Sequence, residues 1–129
     1  MSLLTRPSFA KFLICTFIFI LSTTLQASDE ELKPFVLAYT TDGANIESVA
    51  AEVSEKLKNQ GFEIAGKYSP YDGATIIIIT NDELKQAAAK SEFGGYGAAQ
   101  RVSITKVDEE FQVAYTNPTY MAYAYRMKS

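Results

Sequence analysis

Behind Pro34, the segment Phe35-Val36-Leu37-Ala38-Tyr39-Thr40 alternates large and small side chains with the period of two that defines a strand. Thr41-Asp42-Gly43-Ala44-Asn45 is turn chemistry, and Asn45 is placed to cap a helix. Ile46, Val49, Ala50, Val53 and Leu57 then recur at helical spacing, with Glu47, Glu52, Glu55, Lys56 and Lys58 on the opposite side. Glu52 and Lys56 form a favourable i,i+4 pair, and Gly61 supplies the residue that ends the helix. In the next strand Phe62, Ile64 and Tyr68 point one way, and Glu63, Lys67 and Ser69 the other. Ser69-Pro70-Tyr71-Asp72-Gly73 reads as a turn. Ala74–Thr80 is a continuous β-branched run, the pattern of a strand covered on both sides. Thr80 to Glu83 has capping-box spacing ahead of a helix carrying Leu84, Ala87 and Ala88, which stops before Gly94-Gly95. Arg101–Thr105 and Phe111–Tyr115 alternate as two strands of a hairpin joined by Lys106–Glu110. Asn117-Pro118 is the preferred order for starting a helix, with Tyr120, Tyr123, Ala124 and Met127 at helical spacing. Met121, Tyr123, Tyr125 and Met127 also alternate, so residues 118–128 admit a strand as well.

The order βαββαββα with short connections predicts an α+β two-layer sandwich: a mainly antiparallel sheet with helices on one face. The other face reads as small or polar, from Val36, Ala38 and Thr40 through Glu63, Ala65 and Lys67 to Arg101, Ser103, Thr105, Gln112, Ala114 and Thr116. Such a face is either half-wet or packed against a second copy, which makes a homodimer one expectation.

The first 27 residues stand apart. Arg6 and Lys11 give a positive start, Phe12–Leu21 is apolar apart from Thr16, and Leu25-Gln26-Ala27 ends on a small residue. That is the pattern of a secretory signal peptide over residues 1–27, leaving residues 28–129 as one domain, periplasmic or secreted, without a stable membrane anchor after cleavage. The apolar run spans about 15 Å of helix, against a hydrocarbon core of about 30 Å.

The chain has 129 residues, a formal charge of -3, no His and one Cys. Loss of Arg6, Lys11 and Cys15 with the leader makes the mature domain more acidic and free of thiols. A mildly acidic chain with no basic run gives no footprint for nucleic acid. Ser-His-Asp and Cys-His catalysis are excluded, and so is structural zinc, so no metal ligands and no cofactor are assigned. Asp108-Glu109-Glu110 lacks the spacing of a calcium loop. Gly94-Gly95-Tyr96-Gly97 precedes a strand and lacks the Lys of a phosphate loop.

Gly61-Phe62-Glu63-Ile64 after an amphipathic helix, and Asn117-Pro118 after the last strand, resemble the domain-of-unknown-function 302 family over Phe35 to about Met127. The family pattern usually reads Gly-Asn-Pro where this chain has Thr116-Asn117-Pro118. The resemblance implies an α+β fold, often dimeric, and carries over no activity and no catalytic residue.

All eight Tyr lie in the mature region, and Phe93-Gly94-Gly95-Tyr96-Gly97 sets two aromatics on a glycine-hinged segment. Phe93, Tyr96, Arg101, Tyr115 and Asn117 are the candidate ligand-binding residues, with Arg101 able to hold a carboxylate or phosphate bidentately. The simpler reading, in which the tyrosines are an amphipathic core rim and Arg101 is a surface strand residue, stands ahead of the binding one. Two classes stay open: a non-enzymatic module of the cell envelope that binds a small molecule or a protein, or a His-free hydrolase or isomerase using a carboxylate and Tyr hydroxyls. The missing imidazole favours the first. No catalytic residue is assigned.

Overall fold

The computed structural model describes residues 31–128; the expected leader over residues 1–27 lies outside them. The elements follow the order βαββαββα: β1 Phe35–Thr41, α1 Ile46–Asn59, β2 Glu63–Tyr68, β3 Ala74–Thr80, α2 Asp82–Ala89, β4 Gln100–Val107, β5 Glu110–Thr116 and α3 Pro118–Ala124, with a 3-10 turn at Gly94–Gly97. One antiparallel sheet runs β1-β5-β4-β3-β2, an α+β fold.

Local chemistry sets the boundaries. The Asn45 side chain accepts from the Ser48 N–H at 2.8 Å and opens α1. Glu52 and Lys56 pair at 2.7 Å on its wet side. Gly61, at φ 88°, takes the left-handed conformation that ends it. The cap of α2 is Asn81, which accepts from the Leu84 N–H at 2.8 Å. Thr80, one residue earlier, remains in β3 and donates to the Ala98 carbonyl at 2.7 Å, so the capping-box reading is one residue out of place. Asn117 caps α3, and the helical alternative for residues 118–124 holds.

α1 buries Val49, Ala50 and Val53 against Ile77, Ile79, Val102, Ile104, Phe111 and Val113 of the sheet. Ile77 and Ile104 are fully buried. Each such side chain contributes about 1.5–3 kcal/mol relative to exposure, and this single layer is the core.

The opposite face corrects the sequence reading. In β1 the pairing slips between Leu37↔Ala114 and Tyr39↔Val113, a bulge at Ala38. Facing side chains share a side of the sheet, so Phe35 and Leu37 lie with Thr116 and Ala114 on the open face, where they are 59% and 54% exposed. β2 slips the same way at Ala65, which sends Lys67 to the helix side and Tyr68 to the open face beside Ile76. Ile76 and Ile78 are half-buried there, so the isoleucine run does not mark a strand covered on both sides. The open face therefore carries large apolar groups, not only small and polar ones.

Candidate functional site

Strand alternation separates the candidate residues. Arg101 lies on the open face, paired with Ile78, while its neighbours Gln100 and Val102 face α1. Tyr115 pairs with Val36 and Val102 and so faces α1 as well. Tyr115 and Arg101 thus stand on opposite sides of the sheet, which corrects the expectation of a common rim. Asn117 is fully engaged in structure: its side-chain carbonyl accepts from the Thr119 and Tyr120 N–H groups, and its amide donates to the Lys33 carbonyl at 2.9 Å. Phe93 is 53% exposed and does not line the hollow that Arg101 shares. Tyr96 and Arg101 are the two candidates that the fold brings together.

Their hollow, of about 260 Å³, is completed by Pro34, Phe35, Ala99, Thr116, Met121 and Tyr125. Tyr96 stacks on Tyr125 with ring centroids 4.9 Å apart and planes 18° from parallel. The Thr116 hydroxyl accepts from the Arg101 N–H at 3.3 Å and lies 3.4 Å from the Arg101 carbonyl, tying β4 to the end of β5. Sequence reasoning missed Met121 and Tyr125, although their i,i+4 spacing behind the Asn117 cap places them on one side of α3. Phe35 was hidden by the bulge.

Back to back with this cleft, a groove of about 390 Å³ opens beside α1. α1 packs on β2, β3 and β4. Toward β5 and β1 the groove is walled by Val53, Leu57, Phe62, Ile79, Leu84, Val102 and Val113, with Tyr39, Tyr115 and Pro118 around it. Polar groups are few. Lys56 Nζ stands 5.2 Å from the centre of the Tyr39 ring at the mouth. The Glu52 carboxylate beside it, and then the Tyr39 hydroxyl, raise its ammonium above the ordinary lysine range. Any stability from this arrangement is present below that range and is lost as pH rises through the raised pKa. Gln100, 8% exposed, donates to the Gly97 carbonyl at 3.5 Å, while its own Oε1 is buried without a partner among the described residues. An amide placed so costs about 1–3 kcal/mol, and no strand signal accounts for it in a row of Val and Ile.

At the far end of the sheet a wider hollow of about 700 Å³ lies among Asp72, Lys106, Asp108 and Glu109. Its volume is the larger, and its walls are more polar, with the start of α1 at Asn45, Ile46 and Glu47 completing them. Among the described residues no group of three or more carboxylates is arranged to hold a metal ion.

No protein-family model matches the chain, and no curated protein is significantly similar to it.

Proposed function

We propose that the chain is exported and that its mature domain is a non-enzymatic binding module of the cell envelope, taking a small, largely apolar molecule in the groove beside α1. The observation that carries this reading is the groove's chemistry: apolar walls on both α1 and the sheet, open to solvent, with a cation at the mouth. Water entering such a space finds too few hydrogen-bonding partners, and a ligand covering the same walls gains about 25 cal/mol per Å². The groove volume is about 390 Å³, many times the roughly 30 Å³ that one water takes in the liquid, so it has room for a small organic molecule. The resemblance to the domain-of-unknown-function 302 family belongs to this proposal and adds no activity to it.

Native mass spectrometry of the protein purified from its own host tests the reading as a whole. A chain beginning at Ser28 with a retained small molecule is the expected result; a chain beginning at Met1 would remove export. For the groove itself, titration with 2-naphthol should give saturable amide shifts at Leu57, Leu84 and Val102, abolished by Leu84→Trp. Shifts spread evenly over the surface, or unchanged in that variant, would end the groove reading. Assembly is a second reading, favoured by Phe35, Leu37 and Tyr68 exposed on one sheet face. The same mass spectrum decides it, since a monomer at tens of micromolar leaves no homodimer to explain.

A further inference from the structure

We propose that the cleft on the open face, independently of the groove, binds a small aromatic carboxylate, with its carboxylate on Arg101 and its ring against Phe35, Tyr96 and Tyr125. Arg101 is the polar centre of the cleft. Among the described residues no carboxylate lies within ion-pair distance of it. Its neighbours on the face explain why: Ile78 on β3, Thr116 on β5 and Ser103 along β4 carry no charge. The nearest acidic position on that face, Glu63, is on β2 with β3 between, and its carboxylate is paired with Lys85 at 3.4 Å.

A guanidinium presents a planar fork that matches a carboxylate bidentately. The Arg101 backbone is held by the Thr116 hydroxyl, whose one proton goes to the Arg101 carbonyl, so the guanidinium is the charged group left to meet an anion. The remaining walls are flat or soft: the stacked Tyr96–Tyr125 pair, the Phe35 ring and the Met121 thioether. Such walls favour a planar apolar body over a hydrated anion. The cleft volume of about 260 Å³ is several times the roughly 30 Å³ that one water takes in the liquid, room for a single ring bearing one carboxylate.

The test uses benzoate, with benzamide as its neutral isostere and inorganic phosphate as a bare anion, each titrated into the mature domain and followed by amide shifts. Benzoate should give saturable shifts at Tyr96, Arg101 and Tyr125, and Arg101→Gln should weaken it by about tenfold or more while leaving benzamide unchanged. Arg101 is exposed, so this variant keeps the fold. Tyr125→Ala, which removes the stacked wall, should weaken benzoate and benzamide alike. Benzamide binding as tightly as benzoate would remove the carboxylate, and phosphate binding as tightly would remove the ring. Benzoate shifts centred outside the cleft would overturn the site. Leu84→Trp should leave benzoate binding intact, so failure of the groove and failure of the cleft are read separately.

Discussion

A Cβ built on Gly94 would run into the Ala88 carbonyl oxygen of α2, whereas one built on Gly95 meets nothing within 4 Å among the described residues. A Cβ on Gly97 would touch the Met127 sulfur at 2.7 Å. None of these three has a positive φ; among the described glycines only Gly61 and Gly73 do. The Gly-rich segment around Tyr96 is therefore closely packed at Gly94 and Gly97, which are buried, while Gly95 is open. Gly94→Ala should lower stability by about 2–3 kcal/mol, since the obstacle is backbone and cannot swing aside. Gly95→Ala should be near neutral. Thermal unfolding of the two variants checks this, and equal melting temperatures would remove the close packing at Gly94.

α3 shows how one polar residue positions an element. Asn117 holds the helix start through Thr119 and Tyr120 and ties it to the strand entry through Lys33. Asn117→Ala should cost about 1–2 kcal/mol and loosen the Tyr125 wall of the cleft, while Asn117→Ser keeps a capping oxygen and loses the Lys33 bond. Chemical denaturation of both variants separates the two contributions, and equal losses would show the cap to be unimportant. Asn117-Pro118 pointed to a helix here but left the strand alternation open, whereas α1 was legible from Asn45, its apolar stripe and Gly61. Those signals are local, acting within one or two turns of helix. The side on which Phe35, Leu37, Lys67 and Tyr68 fall was not legible, because a bulge is set by the partner strand and leaves no period in the bulged one. Tyr96 and Arg101 could be brought together because they flank the same strand start. Tyr115 could not be placed until its parity relative to Arg101 was fixed by the β4–β5 register.

Across the whole molecule the first strand pairs with the last: Phe35 lies opposite Thr116, and the Asn117 N–H donates to the Pro34 carbonyl at 2.8 Å. The sheet is complete only once β5 has formed, a non-local closure that slows folding relative to hairpin formation. Both cavities sit at this seam, with Thr116 lining each. The bulges at Ala38 and Ala65 have a further consequence. β1 and β2 are the two outermost strands, so each ends the sheet with a row of unpaired amides that could template growth by another chain. A bulge in each strengthens the local twist and breaks the straight run that such templating needs. Removing Ala38 leaves Leu37↔Ala114 and Tyr39↔Val113 in place while straightening the border. The shortened protein should keep its circular dichroism spectrum yet associate further through this border, as read by sedimentation at equal concentration. If both sediment alike, the bulge serves only to aim Phe35 and Leu37; if added association appears, one inserted alanine is what keeps this border closed.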